Sequence, residues 1–221
     1  MPDREGVVAA AKPSFDETFR AKLNELFAWR RDVREFRKDP IGAAVIEGLV
    51  RTASLSPSVG FSQPWRFVRV DDAARRAAVI ASFERANADA LGDYSGDDAA
   101  RYASLKLAGL REAPVHLAVC ADTQTHVGKG LGRRTMPDML VYSAAMAVYT
   151  FWLAARAEGI GVGWVSILDP VEVHDALSLP PEWQLIAYLC VGYPNDAFAT
   201  PELQRAGWES RDPRATEVYR R

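Results

Sequence analysis

Residues 184–194, QLIAYLCVGYP, give the clearest indication of the fold of this chain. Their almost unbroken apolar run is typical of a central strand that is buried on both faces. Three further segments have strand character: WRFVRV at 65–70, VHLAVCA at 115–121 and GVGWVSILDP at 161–170. These strands lie far apart in the sequence, and helical patterns separate them. The sequence therefore predicts an α+β fold with a small central sheet.

Helical periodicity fills most of the remaining chain. The first helix is predicted to begin at Ser14, which forms a capping-box pair with Glu17. Further helices are predicted after Pro40, over residues 71–111 with a break at LGDYSG (91–96), from Pro137 to Glu158, and over residues 171–177. The helix from Pro137 is strongly apolar but short for a membrane span, which favours a buried helix.

Composition limits the possible functions. The chain has 221 residues, which favours one domain over residues 1–221, and its 27 Lys and Arg against 29 Asp and Glu give a net charge of −2. This balance provides no general attraction to nucleic acid or anionic membranes. The segment MPDREGVVAAAKPSF lacks the apolar core of a signal peptide, and both cysteines lie in apolar runs. We therefore expect a cytoplasmic protein with reduced, buried thiols, and the scattered histidines predict no metal site.

The segment RRDVR at 30–34 is the first candidate for chemistry. Three guanidinium groups within five residues can bind one anion through paired hydrogen bonds. If they hold a cofactor, Asp32 lies beside it and is a candidate proton acceptor. The alternative is a solvated basic turn in which Asp32 only pairs with its neighbours.

Two other segments carry polar groups or glycines in suggestive places. SPSVGFSQPW at 56–65 can surround a polyol or phosphate with neutral donors, or it is an ordinary loop. GIGVGWVS at 159–166 could let a flat ring approach the backbone closely, with Ser166 as one hydroxyl on an apolar strand. Its glycines precede a strand, which argues against a dinucleotide-binding fingerprint. The basic loop GKGLGRR at 128–134 lacks the features of a phosphate loop.

Together, RRDVR, PSVGFSQPWRFV, GIGVGWVSILDP and YLCVGYP resemble the nitroreductase-like flavoproteins in order and spacing, from about Trp29 to Arg211. Within this superfamily the chain most resembles the flavin-consuming BluB branch. That likeness rests on Asp32, where ordinary nitroreductases usually have Ser, and on YASLKLAGL (102–110), MPDM (136–139) and PELQRAGWESR (201–211).

The resemblance implies a mostly antiparallel sheet flanked by helices, in a homodimer with FMN at the subunit interface. The polar tail, about 196–221, would be an extended arm that completes the dimer. Arg30, Arg31 and Arg34 would contact the flavin phosphate, ribityl chain or pyrimidine edge. The implied cofactor-binding residues are Arg30, Arg31, Asp32, Val33, Arg34, Ser58, Ser62, Gln63, Ser166 and Arg211, with Ser58, Ser62 and Gln63 coming from the other subunit.

The implied reaction is the oxygen-dependent fragmentation of reduced FMN to 5,6-dimethylbenzimidazole, the lower ligand of vitamin B12, and D-erythrose 4-phosphate. Asp32 would transfer a proton, Ser166 would bond the flavin near its reactive centre, and residues 83–105, with Tyr94 and Tyr102, would form a lid. No metal takes part, and a separate flavin reductase would supply reduced FMN. The alternatives are a conventional NAD(P)H-dependent nitroreductase or flavin oxidoreductase with recycling FMN, a flavin-binding storage or sensing protein, and, for the lid, an ordinary helical hairpin.

Overall fold

The computed structural model describes residues 12–196 and 198–221. The expectation that the N-terminus is not a signal peptide falls largely on residues 1–11, outside the described residues. Four strands form one sheet: β1 (Trp65–Arg69), β2 (Val115–Asp122), β3 (Gly161–Val165) and β4 (Trp183–Gly192). Their order is β1-β2-β4-β3, and every pairing is antiparallel. This confirms the predicted α+β fold with β4 as an inner strand.

Seven α-helices flank the sheet in the described residues. They are α1 (Glu17–Trp29), α2 (Ala43–Ala53), α3 (Ala73–Leu91), α4 (Gly96–Ser104), α5 (Met139–Ala157), α6 (Pro170–Leu177) and α7 (Glu202–Arg205). Short 3-10 turns cover Val59–Phe61 and Pro213–Thr216.

Three predicted helix boundaries, two starts and one end, were wrong. The N-cap of α1 is Asp16 instead of Ser14, because the Asp16 carboxylate accepts a hydrogen bond from the Phe19 N–H at 2.7 Å. The helical stretch predicted to reach residue 111 ends with α4 at Ser104. Helix α5 begins at Met139 behind the N-cap Asp138, two residues after the predicted start.

Alternate residues of the inner strands supply the two halves of the core. Leu117 and Leu189 pack with Leu49 of α2 and Phe151 of α5 on one face of the sheet. On the opposite face, side chains such as Tyr188 pack with residues of α3 and α6. Because both faces are covered, the buried positions of β2 and β4 are apolar except at His116, which explains their nearly unbroken apolar sequences.

Helix α5 is the one described helix that is long and apolar enough to span a membrane by length and composition alone. Eight of its residues are buried, and it packs against α2 and the sheet. The prediction of a buried core helix is therefore confirmed. Cys120 and Cys190 are also buried and unpaired, as predicted, and burial raises the pKa of Cys120 to about 11 and that of Cys190 to about 12.

The chain after α1 extends the sheet beyond β3. The Val33 N–H donates to the Val162 carbonyl at 3.0 Å, and the Arg37 N–H donates to the Tyr193 carbonyl at 2.8 Å. A Cβ atom on Gly163 would collide with the Val33 carbonyl, and one on Gly161 would lie 2.9 Å from the Val33 side chain. These glycines therefore admit residues 32–34, where the sequence analysis expected them to admit a flat ring.

Candidate functional site

Residues 30–34 pass from the end of α1 along the outer edge of β3. The Arg30 N–H still caps α1 by donating to the Leu26 carbonyl at 2.9 Å, and the chain then becomes extended. The Trp152 indole of α5 donates to the Arg31 carbonyl at 3.1 Å. A helix end, a strand edge and a core tryptophan thus fix this segment from three sides.

Within residues 12–196 and 198–221, Arg30 and Arg31 of this segment have no carboxylate partner, in contrast to Arg34. Arg30 stacks 4.8 Å from the Trp152 ring centroid, and the buried Nε atoms of Arg30 and Arg31 have no hydrogen-bond partner among the described residues. Burial lowers the pKa of Arg31, and the charges of Arg30, Arg211 and Arg156 lower it further. Such a cluster of guanidinium groups is suited to an anion with several acceptor oxygens, such as a phosphate.

No carboxylate in the described part of the chain forms an ion pair with this cluster. Acidic oxygens lie within 4.0 Å of other arginines, but not of Arg30, Arg31, Arg156 or Arg211. Like charges held together cost free energy unless an anion binds, which supports a ligand of negative charge.

A cavity of about 460 Å³ opens beside the segment. It is bordered by residues 31–35, by Arg156 at the end of α5 and by several residues of the C-terminal tail, namely Asp196, Phe198, Thr200, Glu202, Arg205 and Ala206. Its size lies within the range of small-molecule and cofactor sites in proteins.

The Asp32 carboxylate is held in one orientation inside this wall. Its Oδ1 accepts from the Trp164 N–H at 2.8 Å, and its Oδ2 accepts from Arg34 Nε at 2.9 Å. The side chain remains 31% exposed, so the carboxylate is accessible from the cavity side. Each oxygen keeps further lone-pair capacity, and Asp32 can therefore accept a proton without losing its anchors.

Arg34 connects Asp32 to the segment that follows α4. Its Nη1 donates to the Lys106 carbonyl at 3.1 Å, while its Nε donates to Asp32. Val33 lies between them in the chain, and its side chain packs into the core against β3. Ser166 follows β3 and is exposed, two residues after the Trp164 N–H that bonds Asp32.

The serine-rich segment lies at the opposite edge of the sheet. Ser58 Oγ accepts from the Gln63 N–H at 3.0 Å, and Ser62 Oγ is buried without a partner among the described residues. This segment leads into β1, whereas RRDVR adjoins β3, and three strand spacings of about 4.8 Å place these edges about 14 Å apart. A single chain therefore does not bring Ser58, Ser62 and Gln63 together with Asp32.

The predicted lid is a helical hairpin of α3 and α4, with the break at the predicted place. Tyr94 and Tyr102 stack with ring centroids 4.9 Å apart. The Tyr102 hydroxyl donates to Asn87 Oδ1 at 2.9 Å and ties α4 to α3. Whether the hairpin covers a ligand stays a prediction.

Sequence reasoning missed Arg156, whose charge acts on Arg31, and Trp152, whose ring stacks with Arg30. Both lie in α5, more than a hundred residues after RRDVR, and a single arginine in the last turn of a helix gives no separate signal. In residues 12–196 and 198–221, no group of three or more His, Cys, Asp or Glu side chains is placed to hold a metal ion.

Comparison with known proteins shows what the chain is similar to. The nitroreductase family model matches residues 27–193. The chain is 56% identical over 201 residues to a 5,6-dimethylbenzimidazole synthase of Rhodospirillum rubrum, covering 91% of this chain and 95% of the relative. It is 49% identical over 208 residues to one of Rhodobacter capsulatus, covering 94% and 100%.

Solved structures support the same relationship. A crystal structure of oxidized iodotyrosine deiodinase bound to FMN and 3-iodo-L-tyrosine superposes with a TM-score of 0.68 at 25% identity, covering 90% of this chain and 97% of that one. The matches in sequence and structure confirm the resemblance drawn from the motifs. The chain belongs to the nitroreductase family.

Proposed function

We propose that the protein fragments reduced FMN in an oxygen-dependent reaction that yields 5,6-dimethylbenzimidazole and D-erythrose 4-phosphate. The near full-length similarity to two 5,6-dimethylbenzimidazole synthases supports this activity. The structural observation that carries it is Asp32, a carboxylate fixed by two hydrogen bonds next to arginines whose buried Nε atoms lack partners.

The arginine cluster fits the phosphate of FMN. Arg30, Arg31 and Arg211 would hold the phosphate, and Val33 and Arg34 would contact the ribityl chain and the pyrimidine edge. Ser58, Ser62 and Gln63 would reach the same flavin from a second copy of the chain, because the sheet separates them from Asp32 within one copy. The unpartnered hydroxyl of Ser62 is consistent with a ligand contact.

Reduced FMN, when bound, supplies the electrons that reduce O2 and the atoms of the product ring. Asp32 would move a proton at the ribityl carbon that enters the product, since its anchored oxygens can exchange a proton without a change of rotamer. Ser166 would donate a hydrogen bond near the reactive centre of the ring. The α3-α4 hairpin would exclude water from the site.

We propose a cytoplasmic homodimer that receives reduced FMN from a separate flavin reductase. Exposed apolar residues on α1 and α5, among them Phe19 and Tyr149, are consistent with a surface that a second copy covers.

The deciding experiment mixes the purified protein with excess reduced FMN in air and follows the flavin spectrum and the small-molecule products by mass spectrometry. We expect permanent loss of flavin absorbance and the appearance of 5,6-dimethylbenzimidazole. Asp32→Asn should bind FMN like the wild type and form no product. Asp39→Asn, which changes an exposed carboxylate paired with Arg37, serves as the matched control and should retain full product formation.

Full return of oxidised FMN, with hydrogen peroxide as the sole product, would refute the proposal. In that case NAD(P)H oxidation with a nitroaromatic or quinone acceptor would test the conventional oxidoreductase activity.

A further inference from the structure

Residues 201–211, PELQRAGWESR, form a segment that we term the strap. The proposed reaction gives no role to most of it, yet it lies next to both the cavity and the α3-α4 hairpin. Glu202, Arg205 and Ala206 border the cavity together with Arg31. Six residues after Glu202, Trp208 reaches the hairpin.

A specific turn fixes the direction of Trp208. Helix α7 ends at Arg205, and Gly207 adopts a left-handed conformation with φ of +67°. The Gly207 N–H donates to the Gln204 carbonyl at 3.1 Å, and the Trp208 N–H donates to the Leu203 carbonyl at 2.8 Å. These two bonds define a Schellman motif, which turns the chain sharply and holds residue 208 in place.

The Trp208 ring closes an aromatic cluster on the hairpin. It meets Tyr94 edge-on with centroids 5.3 Å apart and an interplanar angle of 78°, and it meets Tyr102 at 6.1 Å and 61°. Tyr102 is buried and Tyr94 is partly exposed. Edge-to-face pairs of this kind are favourable beyond the area they bury, so Trp208 stabilises the present position of α4.

The strap also reaches the charged groups of the site at both of its ends. Glu202 Oε2 lies 4.0 Å from Arg34 Nε, and Arg211 is near enough to Arg31 for its charge to lower the pKa of that guanidinium. The positive charges of Arg211 and Arg31 repel each other. An anion bound between them would therefore hold the Arg211 end of the strap more firmly. Only Glu209 and Ser210 lie between Trp208 and Arg211 in the chain, so Trp208 and Arg211 cannot move far apart.

We propose that Trp208 is a positioning residue that couples capture of the FMN phosphate at Arg31 and Arg211 to closure of the α3-α4 hairpin. The inference rests on the proposed function for the identity of the ligand. Neither the fold nor the reaction by itself requires this role. Through the strap, binding of the phosphate would stabilise the closed position of the hairpin.

Hydrogen exchange of the full-length protein tests this coupling. Peptides covering residues 92–104 are followed without ligand, with oxidised FMN, and with riboflavin, which has the ring and ribityl chain but no phosphate. In the wild type we expect FMN to slow exchange in these peptides by about tenfold or more, and riboflavin to slow it much less. Peptides from β4 report whether each variant remains folded.

Variants separate the two ends of the strap. Trp208→Ala should abolish the slowing by FMN, and Trp208→Phe should restore most of it, because a phenyl ring can still pack edge-on against the tyrosines. Arg211→Gln should remove the difference between FMN and riboflavin. Arg214→Gln is the matched control, since that arginine is exposed and paired with Asp212, and it should behave as the wild type.

The coupling is overturned if FMN does not slow exchange in the wild type, if riboflavin slows it as much as FMN does, or if Trp208→Ala leaves the effect unchanged. The exchange measurement uses oxidised FMN and needs no turnover. A wild-type protein that forms no 5,6-dimethylbenzimidazole would therefore refute the proposed reaction and leave this test intact.

Discussion

Gly163 shows how a single missing methyl group places the candidate site. The Val33 carbonyl occupies the space where a side chain on residue 163 would begin, and the neighbouring Trp164 N–H bonds Asp32. The absence of a Cβ on β3 therefore lets residues 32–34 lie against the strand, and this contact orients the carboxylate.

We predict that Gly163→Ala displaces residues 32–34 and weakens FMN binding strongly, with a loss of about 1–3 kcal/mol in the free energy of unfolding from overpacking. Fluorescence titration with FMN and urea unfolding measure the two effects. Gly48→Ala in α2 is the control, because its new methyl group meets no atom closer than 3.7 Å. That control should be neutral or slightly stabilising, and equal behaviour of the two variants would contradict the argument.

His116 is a buried histidine in the core, away from the proposed chemistry. Its Nδ1 lies 3.0 Å from the Tyr188 hydroxyl, and its Nε2 has no hydrogen-bond partner in the described residues. Burial, helped by the charge of Arg76, lowers its pKa from 6.5 to about 4. The folded state therefore holds this histidine neutral at pH values where the unfolded chain has already bound a proton.

The free energy of unfolding should consequently fall as the pH drops from 6.5 towards 4, by about 3 kcal/mol from this residue. Well above pH 6.5 the histidine is neutral in both the folded and the unfolded state, and it adds no pH dependence. Urea unfolding of the wild type and of His116→Gln at pH 7, 5.5 and 4.5 measures the difference, which should shrink as the pH falls. His126→Gln, at an exposed position, should follow the wild type at every pH.

Helices α6 and α5 differ in how their first turns are capped. The Asp169 carboxylate accepts from the Val171 N–H at 2.7 Å and from the Glu172 N–H at 3.1 Å, whereas Asp138 at the start of α5 makes no side-chain cap bond. The same residue type at two helix starts thus has two different energetic roles.

Asp169→Ala should lower the free energy of unfolding by about 1 kcal/mol through the loss of these cap bonds, while Asp138→Ala should change it much less. Thermal or urea unfolding compares the pair directly. A larger loss for Asp138→Ala would show that the cap contacts do not determine the stability of these helices.

Elements could be predicted from the sequence where their own residues determine them. The apolar runs of β2 and β4 and the break between α3 and α4 are local properties, and the structure has them where they were expected. The start of α1 was misplaced because Ser14 and Asp16 both precede the helix and only Asp16 makes the bond. The approach of residues 32–34 to β3 could not be read in advance, because it joins segments about 130 residues apart through a glycine contact.

The candidate residues divide into two groups at opposite edges of one sheet. Asp32, Ser166 and the arginines lie at the β3 edge, and Ser58, Ser62 and Gln63 lie at the β1 edge. Neither group can form the proposed site without the other, which agrees with an interface site built from two copies.

Mixing two defective variants tests this arrangement. Asp32→Asn and Gln63→Ala should each be nearly inactive as homodimers. After the chains are exchanged in equal amounts, half of the dimers are mixed. In a mixed dimer, one of the two sites combines an intact Asp32 from one chain with an intact Gln63 from the other. Product formation should therefore recover to about a quarter of the wild-type rate. Two Asp32→Asn preparations mixed in the same way provide the control, and no recovery in the mixed sample would place all the residues of a site on one chain.

The segment around Asp32 also affects the solubility of the protein. It bonds to the outer side of β3 and so occupies backbone groups that would otherwise be free to pair with a strand of another molecule. Substitutions that detach this segment should therefore produce a protein that aggregates as well as one that fails to bind its ligand. Selection against aggregation would then act on the same residues as selection for catalysis.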